Sequence, residues 1–513
     1  MLAVASTTAI RTSPRLPVAA LPAPSSTLLR AFMLACAVLA FAVRLARGGG
    51  IPGLWSYDGY DDGVYFGAAV SLAHGRVPYR DFLLLHPPGL MLALTPFAEL
   101  THWMSDAHAF VAARLGWMAL GALNTVLVML VASRWGRRPA ITAGILYAVL
   151  PVVTVGEYTT MIEPLGTAAL LGAVLLARRA ERAGASEWWS VAVGVAVGVA
   201  PVTKIWGVVT VAVVLAWHAW RMGVRAGARA AAGAAATAVV VLGPFAVLAG
   251  RALWRDVVGD QLGRPAEGVA PASRLESLIG AGASPLPASA HLALACVLAA
   301  VVVGCGLLAW RTRTGRLWSV LLAAQGCLLL VTPSFYPYYA ALLGPAMVLV
   351  VAAAVRAVPV RARTLAVVAT CLGFGLTTAP GQFHAPRPFP AAQVRAMLPQ
   401  AGCVRSDSPG ALVLLDVLSR DLDRGCTVAI DLSGTWFDEP VVVRSQVVSR
   451  RDNPRYQDAV VDYLSTGGAT VLVRAGGDGF STATTKELAR GRTLNRFPDN
   501  VRVLAGGRPP ASR

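Results

Sequence analysis

Charge is scarce in this chain. Only 14% of its 513 residues are Asp, Glu, Lys or Arg, against about 25% in an ordinary soluble protein. Lysine is nearly absent, with Lys204 and Lys486 the only two. No Cys/His cluster has zinc-ligand spacing, since His86, His102 and His108 are scattered. No GxxxxGK[ST] run occurs, which excludes a P-loop. Neither glycine-rich stretch, 48–50 or 475–479, follows a strand and opens a helix as a dinucleotide site requires. What the chain has instead is apolar surface: 56% hydrophobic residues and a mean hydropathy of +0.59. Soluble globular and disordered classes are thereby excluded for most of its length. A net charge of +18 would point to nucleic acid in a polar protein. Here the excess is almost all Arg, dispersed between apolar runs, which is how a polytopic membrane protein sets its topology. Nucleic acid is not an expected partner.

A span needs about 20 apolar residues. Such runs occupy 28–47, 110–133, 139–156, 160–177, 188–203, 205–220, 230–250, 289–310, 317–333, 338–355 and 364–380. Between them lie five arginine clusters: Arg134, Arg137 and Arg138; Arg178, Arg179 and Arg182; Arg221, Arg225 and Arg229; Arg311, Arg313 and Arg316; and Arg356, Arg361 and Arg363. Placing all five in the cytoplasm requires an even number of crossings between each pair. The run 188–220 must then be two short spans broken at Pro201–Lys204, and 88–104 a re-entrant or interfacial helix. The expectation is a mainly α, multi-pass cell-membrane protein with about eleven spans, N-terminus cytoplasmic and C-terminus outside. Arg44 and Arg47, at the outer end of the first span, run against this scheme; Arg11, Arg15 and Arg30 offset them.

The chain divides into three units. Residues 1–27 read as a flexible cytoplasmic tail rather than a cleaved signal peptide. Residues 28–380 hold the spans, with a first outer loop at 48–109. From 381 to 513, after the stiff Pro386, Pro388 and Pro390, the composition becomes that of a small extracytoplasmic α/β domain. Within it 411–422 has helical spacing, while 427–432, 440–445 and 469–474 read as strands. Five of the seven cysteines lie in apolar runs. Cys403 and Cys426 are the pair in the outer unit, where an oxidising exterior permits the disulfide expected between them.

Polar chemistry concentrates in the outward gaps. The stretch 54–89 carries Asp58, Asp61, Asp62, Asp81 and His86 among four tyrosines. The segment GVYFGAAVSLAHG reads as an amphipathic helix at the membrane surface, with Asp61 and Asp62 at its N-terminus. The helix dipole keeps carboxylates there ionised, which suits a general base taking a proton from an acceptor hydroxyl. Solvated loop carboxylates are the plainer account. The second gap holds Glu157 and Glu163; the third holds Lys204, either a phosphate anchor or a snorkelling side chain. The fourth offers Asp256, Asp260, Arg264 and Arg274, and the fifth Tyr336, Tyr338 and Tyr339, for which a tyrosine belt at the membrane interface is the favoured account.

Taken in order, the Asp61–Asp62 pair, a helix ending in Gly, PYRDF at 78–82 and HPPG at 86–89 resemble the membrane glycosyltransferases of the GT-C superfamily. The branch they resemble holds the protein O-mannosyltransferases and the aminoarabinose lipid A transferase, family 39- or 83-like. Arg114 opening the second span, IEPL at 162–165 and TK-x-x-G at 203–207 continue the likeness, which covers roughly residues 28–350. It implies a GT-C-like transmembrane catalytic unit and a polyprenyl-phosphate-sugar donor, attacked with inversion by an envelope glycan, lipid or protein acceptor. By the same resemblance Asp61 falls on the catalytic aspartate, and Asp62, standing where Glu is commoner, is the second residue expected to be catalytic. Glu163, Lys204, Asp81, His86, Arg114 and Tyr338 are the expected substrate-binding residues. The phosphate is both leaving group and membrane anchor, so no general acid or nucleotide site is needed; relatives that use a divalent metal leave that ion open as a cofactor. The competing class is non-enzymatic: a lipid-linked sugar flippase or an envelope-assembly scaffold.

Overall fold

The computed structural model describes residues 27–182, 184–264, 268–357, 386–438, 440–443, 446–474, 477–490, 493–497 and 500–506. The N-terminal tail and the apolar run 364–380 lie outside them. The first half comprises α1 (Thr27–Arg47), α2 (Tyr60–Ala73), α3 (Gly89–Ala98), α4 (Asp106–Ala132), α5 (Arg137–Val149), α6 (Pro151–Glu157) and α7 (Glu163–Ala180). Next come α8 (Trp188–Thr203), α9 (Gly207–Met222), α10 (Val224–Ala249), α11 (Pro271–Ile279), α12 (Ala288–Ala309), α13 (Arg313–Val331) and α14 (Gly344–Ala357). Among the described residues, six helical stretches are long and apolar enough to cross a membrane, or seven if α5 and α6, bent by 58° at their break, count as one. Helices α8 and α9 are shorter, at 16 residues each. Each is about 24 Å long, less than the ~30 Å hydrocarbon core. Extended backbone at Lys204 separates them, so 188–220 is not one continuous helix. The region 88–104 forms only α3 and a single further turn.

Small residues let these helices approach closely. A Cβ on Gly194 of α8 would sit 1.7 Å from the carbonyl oxygen of Ala230 in α10, a contact that trades side-chain bulk for backbone packing. On its other face α10 exposes Val239, Val240 and Val247, as a lipid-facing helix does. Four of the arginine-rich gaps meet at one end of the helices. There Arg221 pairs with Glu181 at 2.9 Å, Arg178 donates to the Leu130 carbonyl at 2.7 Å, and Arg316 lies 5.7 Å over the Trp220 ring. Arg44, which ran against the topology scheme, is fully buried. It forms an ion pair with Glu157 and donates to the carbonyls of Ala40 and Ala148. Asn124 and Tyr147 also donate to Glu157. Arg44 therefore neutralises an interior carboxylate and carries no information about sidedness.

The C-terminal segment is a four-stranded sheet of order β1-β4-β6-β5, built from β1 (Val404–Ser406), β4 (Ala469–Leu472), β5 (Thr493–Arg496) and β6 (Arg502–Ala505). Strands β1 and β4 are parallel and the other pairs antiparallel. A hairpin of β2 (Val442–Val443) and β3 (Gln446–Val447) stands apart. Helices α15 (Pro409–Leu414), α16 (Leu418–Asp423), α17 (Pro454–Ser465) and α18 (Thr482–Ala489) complete it, and a disulfide joins Cys403 to Cys426.

Three local expectations change. Residues 411–422 are not one helix, because Asp416 takes a left-handed conformation, φ 55°, between α15 and α16. Its carboxylate accepts from the backbone of Ala107, an attachment to α4 that a continuous helix would lose. Residues 427–432 are not a strand: side-chain and turn hydrogen bonds engage this segment in place of a ladder partner. The Thr427 carbonyl accepts from Arg405, and Asp431 accepts from Tyr60 and the Gly434 backbone. Helix α2 is not an amphipathic surface helix; every residue from Asp62 to Ser71 is buried. The C-terminal segment covers the face the sequence left open: a Cβ on Gly63 would lie 2.5 Å from the Cα of Gly410. Phe66, Phe110, Leu412 and Ile430 consequently share one apolar core.

Candidate functional site

Helix α2 starts after Gly59, in extended backbone, and places Asp61 and Asp62 in its first turn. There the unpaired amides and the helix dipole favour negative charge. The two carboxylates point into different surroundings. Asp62 is 2% exposed. Its Oδ2 accepts from Arg114 Nε and Nη2 at 3.0 and 2.6 Å, and its Oδ1 accepts from the Thr160 amide at 2.8 Å and the Thr160 hydroxyl. Arg114 uses its remaining nitrogen on the carbonyls of Leu54 and Ser56, 2.6 and 2.9 Å away. Both Asp62 oxygens are thus committed to tying α2, α4 and the 158–162 turn together. Asp61 differs. Its Oδ2 accepts from the Tyr338 hydroxyl, while no described group donates to Oδ1.

Asp61 opens on a cavity of about 470 Å³. From the membrane helices and their loops come Asp58, Tyr65, His86, Arg264, Tyr336, Tyr338 and Tyr339. From the C-terminal segment come Asp431, Ser433, Phe437, Arg450 and Arg474. The Arg264 guanidinium lies 4.7 Å over the Phe437 ring, and its Nε lacks a hydrogen-bond partner among the described residues. His86 stacks edge-on against Tyr65 at 5.6 Å. Burial, then the charges of Arg264 and Lys204, hold its imidazole well below the ordinary range, so it is neutral at pH 7.

Behind Tyr339 lies a narrow apolar crevice lined by Ile162, Leu170, Ala200 and Leu342. Glu163 and Lys204 form an ion pair there at 2.7 Å, and the Lys204 ammonium stands 3.5 Å from the centre of the Tyr339 ring. Tyr339 is therefore the shared wall between this pair and the main cavity.

Of the residues singled out by sequence, Asp61, Asp62, His86 and Tyr338 meet at the cavity, and Glu163 and Lys204 adjoin it. Arg114 stands behind Asp62, 3% exposed, and does not line the cavity. Asp81 is away from it altogether. It pairs with Arg80 at 2.8 Å and accepts from the Val77 amide at 2.7 Å, closing the turn that holds Tyr79 at φ 67°. The Arg80 hydrogen bond lowers its carboxyl to about 2. Asp431, Arg450 and Arg474 were not singled out: Asp431 sat in an expected strand, and nothing in the local sequence brings residues 370 positions apart together. Among the described residues, no three His, Cys, Asp or Glu side chains converge as a metal site.

Residues 84–333, just under half the chain, match glycosyltransferase family 87. No curated protein matches. Among solved structures, ArnT from Cupriavidus metallidurans bound to undecaprenyl phosphate superposes with a TM-score of 0.61 at 16% identity, covering 94% of this chain and 98% of that one. The archaeal oligosaccharyltransferase AglB from Archaeoglobus fulgidus, in complex with an inhibitory peptide and a dolichol-phosphate, gives 0.55 at 12% identity, covering 88% and 70%. At such identities the likeness is one of fold, and it extends over the membrane helices and the C-terminal segment together. The fold is thus that of the GT-C membrane glycosyltransferases, and residues 84–333 carry a sequence likeness to glycosyltransferase family 87.

Proposed function

We propose that the protein transfers a sugar from a polyprenyl-phosphate-sugar donor to a hydroxyl of a cell-envelope acceptor, on the outer face and with inversion at the anomeric carbon. The observation that carries this reading is the open Oδ1 of Asp61, on a cavity that also receives Arg264. Asp61 takes the proton of the acceptor hydroxyl as its oxygen bonds to the anomeric carbon. The bond from that carbon to the phosphate oxygen breaks in the same displacement, and the polyprenyl phosphate leaves with the electron pair. Tyr338 holds Asp61 in the orientation that presents Oδ1 to the acceptor. Arg264 meets the charge that grows on the phosphate, a guanidinium being suited to that anion.

The apolar crevice beside Tyr339 gives the polyprenyl chain a path toward the lipid, with Lys204 near the phosphate end and Glu163 fixing Lys204. His86, neutral, offers the sugar a hydrogen bond without adding charge. Asp62 and Arg114 act on Asp61 through α2, as positioning residues. The arginine-rich end faces the cytoplasm, which sets the cavity and the C-terminal segment outside.

The experiment is to reconstitute the purified protein with radiolabelled polyprenyl-phosphate hexoses and pentoses and an envelope extract of the source cells. Label should move to an extract component. Movement of intact donor between vesicle leaflets without transfer would overturn the reading in favour of a flippase.

A further inference from the structure

The cavity wall contributed by the C-terminal segment presents one carboxylate among its described residues, Asp431. Its setting repeats that of Asp61. Asp431 Oδ1 accepts from the Tyr60 hydroxyl at 3.0 Å and from the Gly434 amide at 2.8 Å, while no described group donates to Oδ2. Tyr60 is itself fixed: its oxygen accepts from the Ser433 amide at 2.9 Å, and the Arg474 guanidinium lies 4.0 Å over its ring. Tyr60 also immediately precedes Asp61 in α2. One turn of helix therefore sets both the residue proposed as base and the anchor of the opposing carboxylate. Burial, and next the charge of Asp61, raise the Asp431 carboxyl above its ordinary range.

A donor phosphate is an anion, and Asp431 repels it from this part of the wall; of the two guanidiniums beside it, Arg474 is taken by Asp478 and the Tyr60 ring, and Arg450 lies over the Trp436 ring. The phosphate is drawn instead to Arg264, and to Lys204 behind Tyr339. The space between Asp61 and Asp431 is left for a neutral group rich in hydroxyls, since an open carboxylate oxygen is a strong acceptor from O–H. Phe437 and Tyr338 add aromatic surface to the same cavity, against which the apolar C–H face of a sugar ring packs.

We infer that Asp431 is a specificity-determining residue of the acceptor subsite, and that the acceptor end is a sugar with at least two hydroxyls: one deprotonated by Asp61, a neighbouring one anchored by Asp431. The C-terminal segment thus completes the site rather than merely covering it. This assignment rests on the transferase reading above.

The test compares wild type, Asp431→Asn and Tyr60→Phe in the transfer assay, titrating donor and envelope extract separately. Losing one charge-assisted hydrogen bond should raise the acceptor KM about tenfold in Asp431→Asn. The donor KM should stay within about twofold, because the phosphate is held elsewhere. Tyr60→Phe should move the acceptor KM in the same direction by less. The Cys403–Cys426 bridge and a monodisperse elution profile report that each variant is folded. In the wild-type product, label should sit on a sugar hydroxyl. An unchanged acceptor KM in folded Asp431→Asn, a rise in donor KM of equal size, or label on a protein side chain would overturn the inference. Wild type that transfers from no donor is a separate outcome, since it removes the transferase reading itself.

Discussion

Replacing Asp61 with Asn tests the reading most directly. The change keeps the size of the side chain, and the amide oxygen can still accept from Tyr338. What it alters is the atom facing the cavity: an oxygen that takes a proton becomes an NH₂ that cannot. Loss of a positioned general base costs about 10²–10⁴ in rate, roughly 3–5 kcal/mol of transition-state stabilisation. Binding of the donor should be nearly untouched, because Arg264 and the crevice beside Tyr339 hold it. Tyr338→Phe calibrates the result: it leaves the base in place but removes the hydrogen bond that aims it, worth about 1.5 kcal/mol or tenfold. The assay is single-turnover transfer from a radiolabelled polyprenyl-phosphate sugar at saturating donor, with donor affinity measured separately. The expected order is wild type, then Tyr338→Phe, then Asp61→Asn, with similar donor affinities. Near-normal turnover by folded, membrane-inserted Asp61→Asn would refute the assignment.

Asp62→Ala should act on stability more than on chemistry, because it strands the buried Arg114 guanidinium. Removing one partner of such a pair costs about 3–5 kcal/mol, so a lower yield of folded protein is expected, and an unchanged unfolding temperature would contradict it. Cys403 and Cys426, 23 positions apart, should appear linked in non-reduced peptide maps. Cys403→Ser should lower local stability by about 3 kcal/mol on the chain-entropy account; free thiols at both would dispose of the bridge. Burial, then the charge of Asp478, raises the Asp407 carboxyl to about 7. Between about pH 4 and 7 the folded segment keeps a proton that the unfolded chain has lost, so stability falls as pH rises through that window. The amides of Val473 and Arg474, which donate to Asp407, should lose hydrogen-exchange protection from about pH 4 to 7 beyond the intrinsic rate change; constant protection would oppose this. With native cysteines replaced, Arg451→Cys should react with a membrane-impermeant maleimide on intact cells and Arg137→Cys should not; the reverse pattern would invert the topology.

Local chemistry is legible in the amino-acid sequence, and it determined the helices and their order. Apolar runs of span length interrupted by arginine produce the helices and bring four of the arginine-rich gaps to one end, and Pro201 with Lys204 marks where 188–220 must break. Acidic residues just ahead of an apolar helix locate Asp61 and Asp62 in its first turn. Tertiary structure decided how those residues differ. Adjacent positions in a helix point about 100° apart, so Asp62 turns inward to Arg114 and Thr160 while Asp61 faces Tyr338 and the cavity. It also decided that Arg44 belongs to Glu157 rather than to the membrane surface. The largest gap concerns Asp431: its residue type and spacing carry no signal, because its role comes from packing the C-terminal segment onto α2 through Gly63 and Gly410. A site assembled from both ends of the chain exists only once the two ends touch, and that contact has no local code.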